Sequence, residues 1–383
     1  MTICIGVFLV LSMIILMVDF LYYPKILRGR NIITTNYSGI SAEDLVIQQV
    51  YEGKIYCSRG YCIYVSEDNG KTFRKKFKVK IPFYSFRNLG NSKILRNILN
   101  YYEFLELKIL KSGSILIFTD FKIYRICNKE NKLKKVDDMN VFDKSEVRCV
   151  MPFGITEDNN GNVYYGEYTR NPLKDSISVY RSIDDGRTWS IYYTFQKGSI
   201  RHIHSVQYDV FSQRLWVTTG DLDDECMIGY FDINDQFHIL FQGNQKYRCV
   251  SLLFTKEFIY WAMDARSFQN YIYCYERKSN EVHEVSPIDG PAYYSRIMTD
   301  NSLIFETAVE GGKGEWDDKA SIWLKTKNSN EFNRILTFEK NSKSKKRANI
   351  RFPKGNKLEN IIISAMNTVE HRNDTLILNK YKQ

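Results

Sequence analysis

Ser182-Ile183-Asp184-Asp185-Gly186-Arg187-Thr188-Trp189 decides how this chain is read, because Ser66-Glu67-Asp68-Asn69-Gly70-Lys71-Thr72-Phe73 repeats it. Both follow Ser-x-Asp-x-Gly-x-Thr-aromatic. Asp and Ser side chains cap turn amides, Gly supplies φ > 0, and Thr with an aromatic restarts a strand. The stretch therefore reads as a hairpin turn between two strands. A turn that recurs implies a strand unit that recurs, so the chain is read as an array.

Working outward, each unit reads as an apolar strand, a short turn, a second strand of the form Ile-Tyr-x-x, a loop, and a third strand entering the turn. Second strands are expected at residues 54–57, 115–118, 163–166, 215–218, 258–262, 303–305 and 361–364. Their spacing of about 40–60 residues suits the blades of a propeller. Degenerate copies of the turn follow. Tyr230-Phe231-Asp232-Ile233-Asn234-Asp235-Gln236-Phe237 keeps the Asp, a turn-forming Asn and the aromatic, while residues 325–332 keep mainly Phe332. Seven units fit between about Ala42 and the C-terminus. The seventh ends on Leu376-Ile377-Leu378 as its third strand, and Ile32-Ile33-Thr34-Thr35 is expected to supply the fourth. Closing the ring with strands from both termini removes the free edge. Residues 82–103, with a helix-like run at 94–102, exceed a normal connector and read as a functional or lid-like insertion.

With 383 residues, 44% of them hydrophobic, the chain can bury a large core, and 27 Tyr and 23 Phe against seven Pro suit strands. A net charge of +10 raises nucleic acid, a membrane surface or an acidic glycan as partner. Much of the excess sits in residues 74–80 and 343–347, read as solvated strand edges or loops. No nucleic-acid-binding motif surrounds them, so nucleic acid is not expected. Eight cysteines form neither a disulfide framework nor a zinc pattern. Cys57 and Cys62 flank a short turn and could be bridged across a hairpin. Cys149 and Cys249 stand in matching Arg-Cys-Val strings and read as small core residues.

Residues 3–18 are an almost unbroken apolar run, followed by Asp19, Phe20, Leu21 and the pair Tyr22-Tyr23. Residues 1–24 are read as an uncleaved apolar helix anchoring the chain in a membrane, and 25–383 as the propeller. A cleaved signal peptide and a buried first strand are the alternatives. Lys25, Arg28 and Arg30 follow the run, which by the positive-inside rule favours a cytoplasmic propeller. The resemblance of the repeated octapeptide to the Asp box of secreted proteins favours an extracytoplasmic one, and that is the expectation adopted.

The repeated turn resembles the Asp box (BNR repeat) of sialidases and related β-propellers. The structural Asp-box positions are Ser66, Asp68, Gly70, Thr72 and Phe73, then Ser182, Asp184, Gly186, Thr188 and Trp189. The resemblance implies an all-β fold, a β-propeller of four-stranded blades, seven here, or six (the sialidase number) if one unit is misread. It also implies that the box turns lie on one face. The loops after the second strands and the connections into the first strands then surround the opposite channel mouth, where propeller enzymes carry their site. Roughly residues 152–310 are similar to glycosyl-hydrolase-like BNR proteins, through residues 202–209, 216–224 and 307–310.

On that face an Arg stands at or just before the first strand of five successive units: Arg148, Arg201, Arg248, Arg296 and Arg351. Such a ring needs acidic partners or an anionic ligand, and the guanidinium fork suits a carboxylate or sulfate. Bonding within the scaffold is the competing reading. His202 and His204 alternate onto one side of a strand beside Arg201, as a general base or as metal ligands. The acidic run from Asp221 through Asp223 and Asp224 to Glu225 offers oxygens for Ca²⁺. It lacks the spacing of a calcium loop, so a solvated loop is expected and no cofactor or metal is assigned.

Glu167, Tyr168, Asp264, Glu306, Glu310 and Asn367 begin equivalent loops. Paired carboxylates there suit glycoside hydrolysis. Resemblance to sialidases implies a Tyr nucleophile assisted by Glu, with Tyr168, Tyr293 and Tyr294 as candidates. An Arg neutralising a uronate, with His or Tyr as base, is similar to propeller lyases. The sialidase Phe/Tyr-Arg-Ile-Pro motif is absent, and Arg351-Phe352-Pro353 lies near the wrong end. The expectation is a membrane-anchored propeller that binds an acidic carbohydrate at this mouth, with cleavage as a glycosidase or polysaccharide lyase left open. His202, His204, Glu167, Tyr168, Asp221 and Glu306 are the catalytic candidates. Arg148, Arg201, Arg248, Arg296, Arg351, Asp264 and Glu310 are the binding candidates. The alternative is a non-catalytic scaffold for a protein or polymer.

Overall fold

The computed structural model describes Met13 and residues 24–34, 37–80, 105–119, 121–128, 132–139, 150–355 and 357–379. Arg148, Cys149, the 82–103 insertion and nearly all of the expected anchor lie outside the described residues.

The strands gather into seven sheets, each with a four-stranded antiparallel core, giving an all-β seven-bladed propeller. From the inside outward, blade 1 is Val46–Tyr51, Lys54–Arg59, Cys62–Ser66 and Thr72–Lys78. Blade 2 is Glu106–Ile109, Ile115–Thr119, Lys122–Ile126 and Leu133–Asp138. Blade 3 is Ile155–Glu157, Val163–Gly166, Ile177–Ser182 and Ser190–Phe195. Blade 4 is Ile203–Asp209, Arg214–Thr219, Met227–Phe231 and Phe237–Gln242. Blade 5 is Leu252–Phe254, Phe258–Ala262, Asn270–Glu276 and Glu281–Ile288. Blade 6 is Ser295–Ile297, Leu303–Thr307, Lys319–Lys325 and Asn333–Glu339. All seven expected second strands are present. They are buried on both sheet faces, as in Val163–Gly166, because each blade packs between two others. The outermost strands, such as Phe237–Gln242, face solvent on one side.

Blade 7 takes Asn349–Arg351, Ile361–Met366 and Asp374–Leu378 from the C-terminal end of the chain. Its fourth strand is Ser38–Ala42, paired with Asp374–Leu378, while Arg30–Ile33 adds a fifth outside it. Closure through the N-terminal segment therefore occurs one strand further along the chain than residues 32–35. Gly39 makes the close approach possible, since a Cβ there would stand 2.1 Å from the Ile377 carbonyl oxygen.

Each inner strand is tied to the next blade by hydrogen bonds. In ring order these include Ile109 N to Gln49 Oε1 (2.9 Å), Lys111 N to Glu157 Oε2 (2.8 Å) and Val206 N to Phe153 O (2.9 Å). Leu252 N to Gln207 Oε1 (2.7 Å) and Ser295 Oγ to Ser251 Oγ (2.9 Å) continue it. Ile350 N to Glu306 Oε2 (3.2 Å) and Ile47 N to Ser364 Oγ (2.8 Å) complete the circuit.

The two octapeptide turns share one network. Gly186 N donates to Ser182 Oγ (2.9 Å), and Thr188 donates through N and Oγ1 to the two Asp184 oxygens (2.9 and 2.7 Å). In blade 1 the equivalent bonds join Gly70 to Ser66 (2.8 Å) and Thr72 to Asp68 (2.8 and 2.6 Å). Gly70 and Gly186 have φ of +86° and +75°.

One expectation is corrected and one open question is answered. The N-terminal apolar helix is not supported: among the described residues no helix is long and apolar enough to cross a membrane. Just after that segment the chain is extended, with Ile26–Arg28 pairing against the outer strand of blade 1. The Cys57–Cys62 bridge left open by the sequence does not form; both residues are reduced and buried. The hairpin register sets Cys57 opposite Tyr64 and Cys62 opposite Arg59. The two sulfurs are thus offset by two residues, ~7 Å along the strands, too far for a disulfide.

Candidate functional site: the mouth around Asp221

Inner strands begin where second strands end, as Ile203 opposite Thr219 and Ser295 opposite Phe305 show. One channel mouth is therefore built from the segments entering the inner strands and from the loops after the second strands. The octapeptide turns, which follow third strands, lie at the other end.

Asp221 organises this mouth. It follows Gly220 at the end of Arg214–Thr219 and has φ +140°, a conformation L-residues rarely adopt. Arg248 Nη2 lies 3.0 Å from its Oδ1, and Arg248 Nη1 donates to its carbonyl at 3.1 Å. Arg201 Nη1 stands 3.7 Å from Oδ2. His202 Nε2 is 3.4 Å from Oδ2, and His204 Nε2 is 3.7 Å from Oδ1.

Both imidazoles are oriented from behind. His202 Nδ1 lies 3.3 Å from the Thr169 carbonyl and His204 Nδ1 3.3 Å from the Cys249 carbonyl. A carbonyl only accepts, so each Nδ1 bears a hydrogen in these contacts, and each ring turns its Nε2 edge toward Asp221. The rings lie 5.2 Å apart, and Tyr168 packs 4.3 Å from His202. A Cβ at Gly220 would press on His204 at 3.2 Å and on Arg248 at 3.0 Å, which explains a glycine before Asp221. Burial pulls the His204 imidazole down to about 4. Burial opposes charge on Asp221 as well, but its side-chain contacts with His202 and His204 hold it well below the usual carboxylate range.

The next blades extend the network. Arg248 Nε reaches Asp264 Oδ2 at 3.6 Å. Burial pushes that carboxyl up to about 7, against the pull of Arg248. Tyr293 donates to Glu310 Oε1 at 2.5 Å, and Arg347 Nη1 donates to the same oxygen at 3.1 Å while stacking 4.0 Å over the Tyr293 ring. Arg201 also pairs with buried Glu225, Nε to Oε1 at 3.2 Å, and Lys174 reaches that oxygen at 2.9 Å.

Other candidates lie elsewhere. Buried Glu306 accepts the amides of Tyr293 (2.8 Å), Tyr294 (3.1 Å) and Ile350 (3.2 Å), the work of a scaffold joint. Burial pushes its carboxyl up to about 8 against those donors. Glu167 accepts the Ser178 amide at 2.7 Å. Arg351 is buried within the channel on Glu106 (3.0 and 2.8 Å) and Gln48 (2.8 Å), and Lys354 joins Glu106 at 2.6 Å. Arg296 points to the second mouth, donating to Gly355 O at 2.5 Å. The five-Arg ring is therefore not assembled, and Arg201, Arg248 and Arg351 all have acidic partners. Asp223 and Asp224 are exposed and do not gather with Asp221. Among the described residues, the groups able to hold an ion are His202–His204–Asp221 and the more exposed Glu276–Glu281–His283.

Arg347 was not among the candidates, because it ends the basic run at 343–347. Its phase is the available signal. Arg201, Arg248 and Arg347 all precede their inner strands, whereas Arg296 and Arg351 lie inside theirs and so sit further down the channel. A cavity of about 590 Å³ lies between the outer parts of blades 1 and 2 around Tyr56, Thr72 and Lys76.

No protein-family model and no curated protein sequence matches this chain. The fold is similar to that of virginiamycin B lyase from Staphylococcus aureus, at 16% identity and TM-score 0.56, covering 93% of this chain and 99% of that one. It is also similar to an oligogalacturonate lyase in complex with manganese, at 8% identity and TM-score 0.58, covering 92% and 97%. A chain of the mitotic checkpoint complex matches at 10% identity and TM-score 0.54, covering 93% and 91%. At these identities what is shared is the seven-bladed propeller, which serves lyases and assembly proteins alike.

Proposed function

We propose that the mouth around Asp221 is a divalent-cation site, formed by His202, His204 and Asp221, that binds the carboxylate of an acidic carbohydrate. The observation that carries this is the aim of two Nε2 atoms at one carboxylate, at 3.4 and 3.7 Å. Three acceptors that face each other repel unless a proton or a cation lies between them. At His204 burial disfavours the proton at neutral pH. Imidazoles fixed through Nδ1 by backbone carbonyls are the usual second support of metal-binding histidines. Three protein ligands leave coordination positions for a carboxylate, and Arg201, Arg248 and Arg347 supply a cationic rim. The strained Asp221 backbone fits a functional position. One structural neighbour is an oligogalacturonate lyase in complex with manganese; the reading for this chain rests on its own residues. The hydrogen bonds shared by the two octapeptide turns support placing the scaffold with Asp-box propellers.

A second reading, cleavage of the bound sugar, rests on Asp264. Its carboxyl, pushed up to about 7 and set beside Arg248, can exchange a proton near neutral pH.

Titration of metal-depleted protein with Mn²⁺, followed by calorimetry with and without oligogalacturonate, tests the reading. One Mn²⁺ per chain is expected, with affinity lowered about 100-fold in His204→Ala and His202→Gln, and uronate binding only in the presence of Mn²⁺. Metal uptake unchanged in both variants, or uronate binding indifferent to chelator, would overturn it.

A further inference from the structure

We propose that the opposite mouth of the channel is a second, independent site that binds the phosphate group of a small molecule with an apolar or aromatic body. Inner strands run from the Asp221 mouth to a cavity of about 340 Å³ lined by their far ends and by Lys354 and Gly355. Lys354 joins the wall of this cavity to the buried cluster of Glu106, Arg351 and Gln48.

Charge is the first argument. Lys108, Lys111, Arg296 and Lys354 line this cavity, whereas Glu157 is the one carboxylate in its wall among the described residues. Lys354 shares Glu106 with Arg351, Lys111 Nζ donates to the Asp158 carbonyl at 2.8 Å, and Arg296 donates to a carbonyl. Neutral acceptors satisfy hydrogen bonds but do not cancel charge. Lys108, on the inner strand of blade 2, has Arg296 and Lys111 as like-charged neighbours and Glu157 as the opposing carboxylate. Burial pulls Lys108 below the usual lysine range, Lys354 down to about 8 and Arg296 down to about 10. Crowded cations of this kind are costly until an anion joins them.

Shape is the second argument. Arg296 offers a planar fork and Lys108 a point charge, a pairing that suits the tetrahedral oxygens of a phosphate dianion. Phe153 and Phe254 line the same cavity and offer an apolar shelf for the remainder of the molecule. The volume falls within the range of small-molecule pockets.

Calorimetric titration with inorganic phosphate and with phenyl phosphate, at fixed ionic strength, tests this. Saturable binding of both is expected, tighter for phenyl phosphate because its ring packs on the shelf. Lys108→Met should weaken both by about tenfold or more and should raise the melting temperature of the ligand-free protein, since it removes a poorly compensated cation. His204→Ala should leave phosphate binding unchanged, which separates this site from the cation site. The proposal is overturned if wild-type protein shows no saturable phosphate binding, if Lys108→Met binds as wild type, or if Lys108→Met melts lower. Equal affinity for the two ligands would overturn the apolar shelf.

Discussion

Arg125 of blade 2 is bound by Asp185, the second acid of the octapeptide turn in blade 3: its Nε donates to the Asp185 carbonyl at 2.6 Å and its Nη2 to the Asp185 carboxylate. Ser112 and Ser114 of blade 2 donate to the same carboxylate at 2.6 and 2.8 Å. Beside this contact Gly186 packs so tightly that a Cβ would lie 2.6 Å from Leu116. The turn is therefore a joint between blades as well as a hairpin. Arg125→Ala should cost about 2–3 kcal/mol, because it leaves a half-buried carboxylate without its cationic partner. Urea denaturation measures this, and Mn²⁺ affinity at the far mouth should not change.

Glu306 is expected to behave as structure rather than as catalyst. Glu306→Ala orphans three buried amides and should destabilise by about 3 kcal/mol or more. Glu306→Gln keeps one good acceptor and should cost roughly half as much. If Glu306→Gln folds and binds uronate with wild-type affinity, the joint role stands; selective loss of binding would argue for a role at the site.

Acid should destabilise the metal-free protein through His204. In the folded chain the ring stays neutral down to about 4, while in the unfolded chain it titrates near ~6.5. Between those values the unfolded chain holds the extra proton, so stability falls as pH drops. The full effect is about 3 kcal/mol across that window. His202, Asp221 and Arg248 face the ring; Asp221 stays ionised throughout the window, so the slope belongs to histidine. Denaturation curves at pH 4.5 and 7 for wild type and His204→Gln check this, and the variant should show the shallower slope.

The buried cluster in the channel offers another test. Glu106→Gln leaves Arg351 and Lys354 facing each other without a counter-charge and should cost about 3–5 kcal/mol. A double variant, Glu106→Gln with Lys354→Met, should recover part of that loss. A thermodynamic cycle on melting would show no coupling if the residues acted independently.

Two local features made the fold legible. The Ser-x-Asp-x-Gly-x-Thr-aromatic turn is largely specified by its own eight residues, since the bonds made by its Ser and first Asp to Gly and Thr join atoms within that stretch. The second strands were legible because a strand packed on both faces reads as a continuous apolar run. Closure was legible in principle, because an unpaired edge needs a partner. The strand that supplied it was misplaced by a few residues, since Ile32 and Ile33 look more strand-like than Ser38-Gly39-Ile40.

The site was legible as a region and not as an arrangement. His202, His204, Arg201 and Arg248 were visible from their phase, but their convergence on Asp221 depends on a loop whose path no local rule gives. Arg296 and Arg351 looked equivalent to Arg201 and Arg248, yet a shift of a few residues along an inner strand moves a guanidinium by ~3.3 Å per residue and sends it to another depth of the channel. Arg347 was hidden inside a basic run that looked solvated. By itself, then, the sequence determined the repeat, the strands and the face on which to look, because those rest on contacts between near neighbours in the chain. The tertiary structure alone decided that Asp221 would gather two histidines and two arginines, because that gathering depends on the path of the loop after Thr219 and on Arg248 arriving from the next blade.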